Sequence, residues 1–365
     1  MTTPYLSIDL AKIEQNSRCI VELCRRHGIT LAGVTKVTCG HPEVALAMLR
    51  GGVEMLADSR LENIRRMQQA GIRGPFMLLR LPALSQIEVV AAMVDISLNS
   101  EASVLQALSA AACHYARPQQ VMLMVDLGDL REGVWPERLP ILLSQVSDLP
   151  GIRLVGMGAN LACFAGVAPT TALMQRLVTL VEAVEARLGR ELPWISGINS
   201  SGLALIAAGG MPTRINHARI GEAILLGRET LHRRPWPGTR QDAFRLYAEV
   251  LELQRKPSAP VGERAEDAFG HQPRFEQRGE ILRALVNVGR EDVDPEGLEP
   301  LDRRLHLLGA SSGYLVLDAS AAAGQIRVGD ELAFDLNYSA LLRAMTSEYV
   351  HKRTFPSESV ARGNT

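Results

Sequence analysis

The stretch Leu31–Ile64, LAGVTKVTCGHPEVALAMLRGGVEMLADSRLENI, contains one complete architectural unit and the start of the next. A short apolar run, LAGVTK, stops at a lysine. The turn residues Cys39-Gly40-His41-Pro42 follow, and then HPEVALAMLRGG, whose apolar residues recur at three and four as on one helix face. VEMLAD begins a second run and SRLENIRRMQQAG a second helix. Runs this uniformly apolar suit strands covered on both faces, and helical crossovers make successive strands parallel. Lys36 closes the first run, and an ammonium is costly to bury, so it needs a partner or a use.

The same theme recurs along the first two thirds of the chain. Further apolar runs begin at Pro75 (PFMLLR), Val94 (VDISLN), Val121 (VMLMVDLGD), Ile152 (IRLVGMGAN), Leu192 (LPWISGINS) and Ile215 (INHARIGEAILLG). Helical patterns such as SEASVLQALSAAACHYA, PERLPILLSQVSDL and TALMQRLVTLVEAVEARLG separate them. Eight units of this kind predict an α/β fold built on a closed (β/α)8 TIM barrel. An open doubly wound sheet is the rival, but no G-x-G-x-x-G follows the first strand. The pattern changes at RRPWPGTR, near Arg233. Beyond it AFRLYAEVLELQRK, ILRALVNVG, LHLLGA, YLVLDAS and DELAFDLN read as strands separated by turns. The expected organisation is a barrel over 1–233, a C-terminal β-rich domain over 240–352 and a solvated tail over 353–365.

Composition narrows the class of function. A chain of 365 residues, 47% hydrophobic with a net charge of -1, can bury a large core and carries no basic field for nucleic acid. No apolar segment is long enough to span a bilayer, and the N-terminus lacks a signal pattern. Five scattered cysteines show neither a disulfide framework nor metal-ligand spacing, so a reducing cytoplasm and no metal are expected. A small-molecule partner follows.

In such barrels the chemistry gathers where strands end. Lys36 stands at one such end, the segment Asp126 to Arg131 at another, and Asn160, then Asn199, Ser200 and Ser201, and Arg219 at others. An amine at a partly desolvated rim can form a Schiff base with an aldehyde, and a small-residue turn can offer several N–H groups to a phosphate. The cofactor with both an aldehyde and a phosphate is pyridoxal 5'-phosphate.

Nine blocks carry a family resemblance: VTKVTCG, LADSRLENI, MVDLGDLREGVW, MGANLACFAGV, SGINSSGL, INHARIGEAILLGRET, QRKPSAPVGERAEDAFG, LGASSGYLVLD and NYSALLRAMTSEYV. In this order, from Tyr5 to about Lys352, the chain resembles the ornithine racemase branch of the alanine racemase-like, fold type III pyridoxal-phosphate enzymes. The resemblance implies a barrel plus β domain, acting as a homodimer whose sites are completed by the second subunit, and racemisation of a free amino acid, ornithine or another basic one. By resemblance, Lys36 holds the cofactor and serves as base on one face of the substrate. Arg219 bonds the pyridine nitrogen and keeps it unprotonated, with Glu222 as the rival partner. Asn199, Ser200 and Ser201, with the backbone of Gly221 and Glu222, hold the phosphate. Arg131 reaches toward the substrate carboxylate or a ring oxygen; an ion pair with Asp129 or Glu132 is the plainer reading of it. Asn160 stands near the ring, where alanine racemases usually carry histidine.

Racemisation needs a second acid/base on the opposite face. The ornithine-type branch usually reads Gly-Ala-Ser-Ser-Asp-His there, whereas this chain has Gly309-Ala310-Ser311-Ser312-Gly313-Tyr314. Tyr314 is the nearest phenol and Ser312 a weaker candidate; packing of the Tyr314 ring at the start of its strand is the alternative. Asp267, from charge, could read a distal amine of the substrate. Decarboxylation or retro-aldol cleavage on the same cofactor, or a non-catalytic pyridoxal-phosphate-binding regulatory role, are the alternative functions.

Overall fold

The computed structural model describes residues 3–355, which divide into two compact units, one of residues 10–241 and one joining residues 3–9 to 242–355. Strand β1 (Tyr5–Asp9) belongs to the second unit. The first unit opens with α1 (Leu10–Arg26), whose buried residues Ile13, Ser17, Ile20, Val21 and Cys24 fall on one face, and Arg25 and Arg26 complement its C-terminal dipole.

The eight predicted runs are the eight strands of a closed parallel barrel: β2 (Thr30–Val34), β3 (Met55–Asp58), β4 (Phe76–Leu78), β5 (Ile96–Asn99), β6 (Gln119–Met124), β7 (Ile152–Gly158), β8 (Trp194–Ile198) and β9 (His217–Ile220). Pairing of β9 with β2, Ala32 opposite Arg219, closes the ring. Helices α2 (Pro42–Arg50), α3 (Leu61–Gln69), α4 (Ile87–Met93), α5 (Ala102–His114), α6 (Leu139–Val146), α7 (Thr171–Leu188) and α8 (Leu203–Ala207) make the crossovers, and α9 (Glu222–Leu226) follows the last strand. Pro42 starts α2, where its missing N–H costs nothing, and Thr170 caps α7 by accepting from Leu173 N. Ala32, Val34, Met55, Ala57, Met77, Ile96, Leu98, Met122, Met124 and Val155 form one buried cluster. Each Val, Leu, Ile or Met removed from water there contributes about 1.5–3 kcal/mol. Methionine suits such a core because its unbranched chain fills irregular space.

The second unit is one antiparallel-rich sheet in the order β12-β15-β10-β11-β14-β13, with β1 also on β10. Its strands are β10 (Phe244–Pro257), β11 (Glu280–Val286), β12 (Leu298–Pro300), β13 (His306–Ala310), β14 (Leu315–Asp318), β15 (Glu331–Leu336) and β16 (His351–Phe355). A bulge between Val250 and Glu252 lets β10 pair with β1 and β15 in its first half and mainly β11 in its second. One helix, α10 (Tyr338–Thr346), is capped by the Asn337 side chain accepting from Ala340 N at 2.9 Å.

Two details depart from the sequence expectation. Residues 5–9 lie inside the segment 1–233 read as barrel, yet the strand they form, β1, pairs antiparallel with β10 and parallel with β16. Alternation alone does not tell a strand which sheet it will join. Residues 353–355, assigned to the tail, complete β16; residues 356–365 lie outside the described residues. Among the described residues no helix is long and apolar enough to cross a membrane.

Candidate active site

The carboxyl end of β2 is held by a buried polar knot. Thr35 donates its N–H to Ala57 O at 2.9 Å and its hydroxyl to Asp58 Oδ2 at 2.7 Å. Asp58 also accepts from Asn63 Nδ2 at 2.9 Å and Arg60 N at 3.0 Å. Burial pushes the Asp58 pKa up and these hydrogen bonds oppose the push. From this fixed backbone the chain enters a 3-10 turn, Lys36–Thr38, closed by Cys39 at φ 53°. Lys36 is half-buried and lies past the Ala32–Arg219 rung of the ladder, toward the strand ends.

Arg219 is 5% exposed, an unusual setting for a guanidinium. Its Nη1 donates to Ser196 O at 3.1 Å and to Ser196 Oγ, and its Nη2 donates to Ala159 O at 2.7 Å. Gly158 leaves room for it: a Cβ there would stand 2.8 Å from Ser196 O and 3.3 Å from Arg219 Nη1. Burial lowers the Arg219 pKa to about 10, so it remains a cation at neutral pH. The negative charge of Glu132 and the positive charge of Arg131 both reach it. Glu132 pairs with Nε and Nη2 of Arg131. The ion pair predicted for Arg131 as its plainer reading is therefore present, in a loop rather than on a helix. Arg131 Nη1 also donates to Cys163 Sγ at 2.9 Å.

Asp129, two residues earlier, ties the β6 and β7 loops together. Its carboxylate accepts from Cys163 N at 3.0 Å, Phe164 N at 2.9 Å and Val167 N at 3.1 Å. Burial alone would raise its pKa; the three N–H bonds and Arg131 outweigh that and hold it below the ordinary value.

The β8 end is organised by Asn199. Its Nδ2 donates to Asn160 Oδ1 at 3.1 Å and Leu161 O at 2.8 Å, and its Oδ1 accepts from Ser201 N at 2.8 Å. Asn160 is thereby oriented, with its Nδ2 buried and without a partner. Ser200 Oγ accepts from Ala223 N at 3.2 Å, which joins this turn to the start of α9, and Ser201 is 2% exposed. Gly221 admits a close approach to Val34, where a Cβ would meet Val34 O at 2.9 Å. Glu222 forms an ion pair with Arg233; burial raises its pKa while Arg233 and Lys36 oppose the rise. The acid considered as a rival ring partner is thus engaged by two cations.

The barrel brings Lys36, Arg131, Asn160, Asn199, Ser200, Ser201, Arg219, Gly221 and Glu222 to its strand ends. Three other candidates lie in the β-rich unit. Tyr314 is 46% exposed just before β14, its carbonyl accepting from Ser311 N at 2.9 Å, and the exposed Ser312 carbonyl accepts from Glu291 N at 3.0 Å. Asp267 shapes its own turn: its Oδ1 accepts from Phe269 N and His271 N, both at 2.9 Å. These backbone bonds lower its pKa. Sequence reasoning assigned nothing to Ser196, His217 or Gly158. The available signal was a histidine two residues before Arg219 in INHARI, a spacing that puts both on one face of a strand.

Residues 8–229 match the alanine racemase N-terminal domain family. The chain is 39% identical over 357 residues to a lysine racemase of Thermotoga maritima, covering 98% of this chain and 100% of that one. It is 38% identical over 350 residues to an ornithine racemase of Acetoanaerobium sticklandii, covering 96% and 99%. Among solved structures, the alanine racemase of Streptomyces coelicolor A3(2) superposes with a TM-score of 0.77 at 18% identity, covering 97% of this chain and 98% of that one. The alanine racemase of Bacillus anthracis does so at 0.76 and 16%, covering 98% and 96%. At those identities the two structures speak to fold alone.

Proposed function

The chain belongs to the alanine racemase family, and from that premise we propose that it racemises a free basic amino acid, of the ornithine and lysine class, with pyridoxal 5'-phosphate as cofactor. The observation that carries the substrate class is likeness over nearly the whole chain to a lysine racemase and an ornithine racemase.

The barrel's residues fit the cofactor. Asn160 Nδ2 is a buried donor with nothing to bond, and Arg219 commits Nη1 and one Nη2 hydrogen to the chain, leaving Nε and the second Nη2 hydrogen for a ring acceptor. Lys36 would hold the aldehyde carbon, Arg219 the ring nitrogen, and Asn199, Ser200 and Ser201 with the backbone of Gly221 and Glu222 the phosphate. When bound, the cofactor withdraws electrons from Cα and so acidifies its proton. Arg219 remains a cation that cannot give up its proton to the ring, which limits that withdrawal and favours prompt reprotonation over side chemistry. Lys36 Nζ removes and returns the proton on one face. Tyr314 Oη, supplied by a second copy of the chain and backed by Ser312, serves the other. Arg131, held by Glu132, orients the substrate carboxylate. Asp267 Oδ2 of a second copy, outside the turn its sister oxygen holds, takes the distal ammonium. None of the five cysteines is in a disulfide, which supports a cytoplasmic setting.

The test is Cα–H exchange in deuterated water with D- and L-ornithine and lysine, product chirality recorded. A racemase exchanges and inverts. Release of carbon dioxide, cleavage of the side chain, or no exchange at all refutes the reading.

A further inference from the structure

Within the β8–β9 wall two polar residues stand behind Arg219. Ser196 and His217 are both fully buried. Ser196 Oγ lies 2.7 Å from His217 Nδ1 and also accepts from Arg219 Nη1. The His217 ring sits 5.7 Å from the Trp194 ring, and its Nε2 has no partner. A buried imidazole nitrogen left unsatisfied costs about 1–3 kcal/mol. An apolar residue at this position would avoid that cost.

A guanidinium only donates, so Ser196 Oγ must accept from Arg219. The hydroxyl has one proton left to give, and His217 Nδ1 is the acceptor within reach. That requires a neutral imidazole with its hydrogen on Nε2. Burial and the nearby Arg219 charge lower the His217 pKa to about 3, which keeps the ring in that form.

We propose that Ser196 and His217 are positioning residues for Arg219, a relay in which the neutral imidazole accepts a hydrogen bond from the serine hydroxyl and so turns the serine lone pair toward the guanidinium. The relay fixes the guanidinium plane, and with it the aim of the two donors left for the cofactor ring. A hydroxyl without the histidine could rotate and let the arginine swing. This inference rests on the reading of Arg219 as the ring-nitrogen partner.

Two measurements test it. In cofactor-free protein labelled with 15N-histidine, His217 is expected as the neutral Nε2–H form from pH 8 down to about pH 5, a range in which ordinary histidines titrate. In the loaded enzyme, Ser196→Ala is expected to shift the visible absorbance maximum and lower kcat about ten- to hundredfold with little change in KM, and Ser196→Thr to restore both. His217→Phe should reproduce the Ser196→Ala spectrum if it folds; Ser196→Ala carries the test if it does not. An Nδ1–H tautomer in the wild type, or an unmoved spectrum and kcat in Ser196→Ala, overturns the relay. Arg219→Ala separates the two ideas: if it moves the spectrum and Ser196→Ala does not, the relay alone fails. If neither variant moves it, the assignment of Arg219 fails as well.

Discussion

Lys36 is the residue on which the proposed chemistry turns, and its environment is built to hold it still. The Thr35–Asp58–Asn63 knot fixes the backbone beneath it, and Glu222 supplies a nearby opposite charge. Lys36→Ala is expected to abolish the visible absorbance of the loaded protein and to slow Cα–H exchange by about 10²–10⁴-fold or more. Borohydride reduction followed by peptide mapping checks the attachment point. A label on another lysine, or an absorbance band that survives the change, contradicts it. Gly158 matters for a steric reason. In Gly158→Ala the new methyl group would press on Ser196 O and on the Arg219 guanidinium. A loss of about 1–3 kcal/mol in urea unfolding is expected from such overpacking, together with weaker cofactor retention on dialysis.

At the scale of elements, the barrel was legible because each of its strands is a short apolar run bounded by turn residues and followed by a helical pattern. Lys36, Asn160 and Asn199–Ser201 were legible for the same reason: they stand where those runs stop. The cross-loop ties were not. Asp129 reads as one acid in DLGDLREG, and nothing local shows that it accepts three N–H groups from a loop more than thirty residues on. Nor does sequence show that Glu132 rather than Asp129 pairs with Arg131. Such contacts depend on the lateral register of neighbouring strands, which the pattern of one strand does not encode. Asp129→Asn should cost about 1.5–3 kcal/mol, the weight of hydrogen bonds to a charged group, and loosen residues 162–167. Hydrogen exchange at Cys163, Phe164 and Val167 would report it, and unchanged protection there would rule out the tie.

For the whole molecule, acid stability should carry the mark of His217. Its folded pKa, about 3, lies below the unfolded value of 6.5, so below pH 6.5 the unfolded chain takes up a proton that the folded chain refuses. Stability contributed by the neutral ring is complete above pH 6.5 and declines by about 1.4 kcal/mol per pH unit as pH falls toward 3. Comparing wild type with His217→Gln isolates that slope from the carboxylates; equal slopes would refute it. The proposed sharing of sites between two copies has a mixing test. Lys36→Ala and Tyr314→Phe, each inactive alone, should regain about a quarter of wild-type activity after co-refolding, since half the dimers are mixed and each carries one intact site. No recovery would mean that each copy supplies its own opposite-face base.

The placement of β1 has a temporal consequence. This strand is synthesised before the entire barrel, yet its partners β10 and β16 leave the ribosome only after it. Until then its unpaired edge is open to pairing with the wrong neighbour. A delay in translation between the barrel and β10 would therefore harm yield more than the same delay inside the barrel.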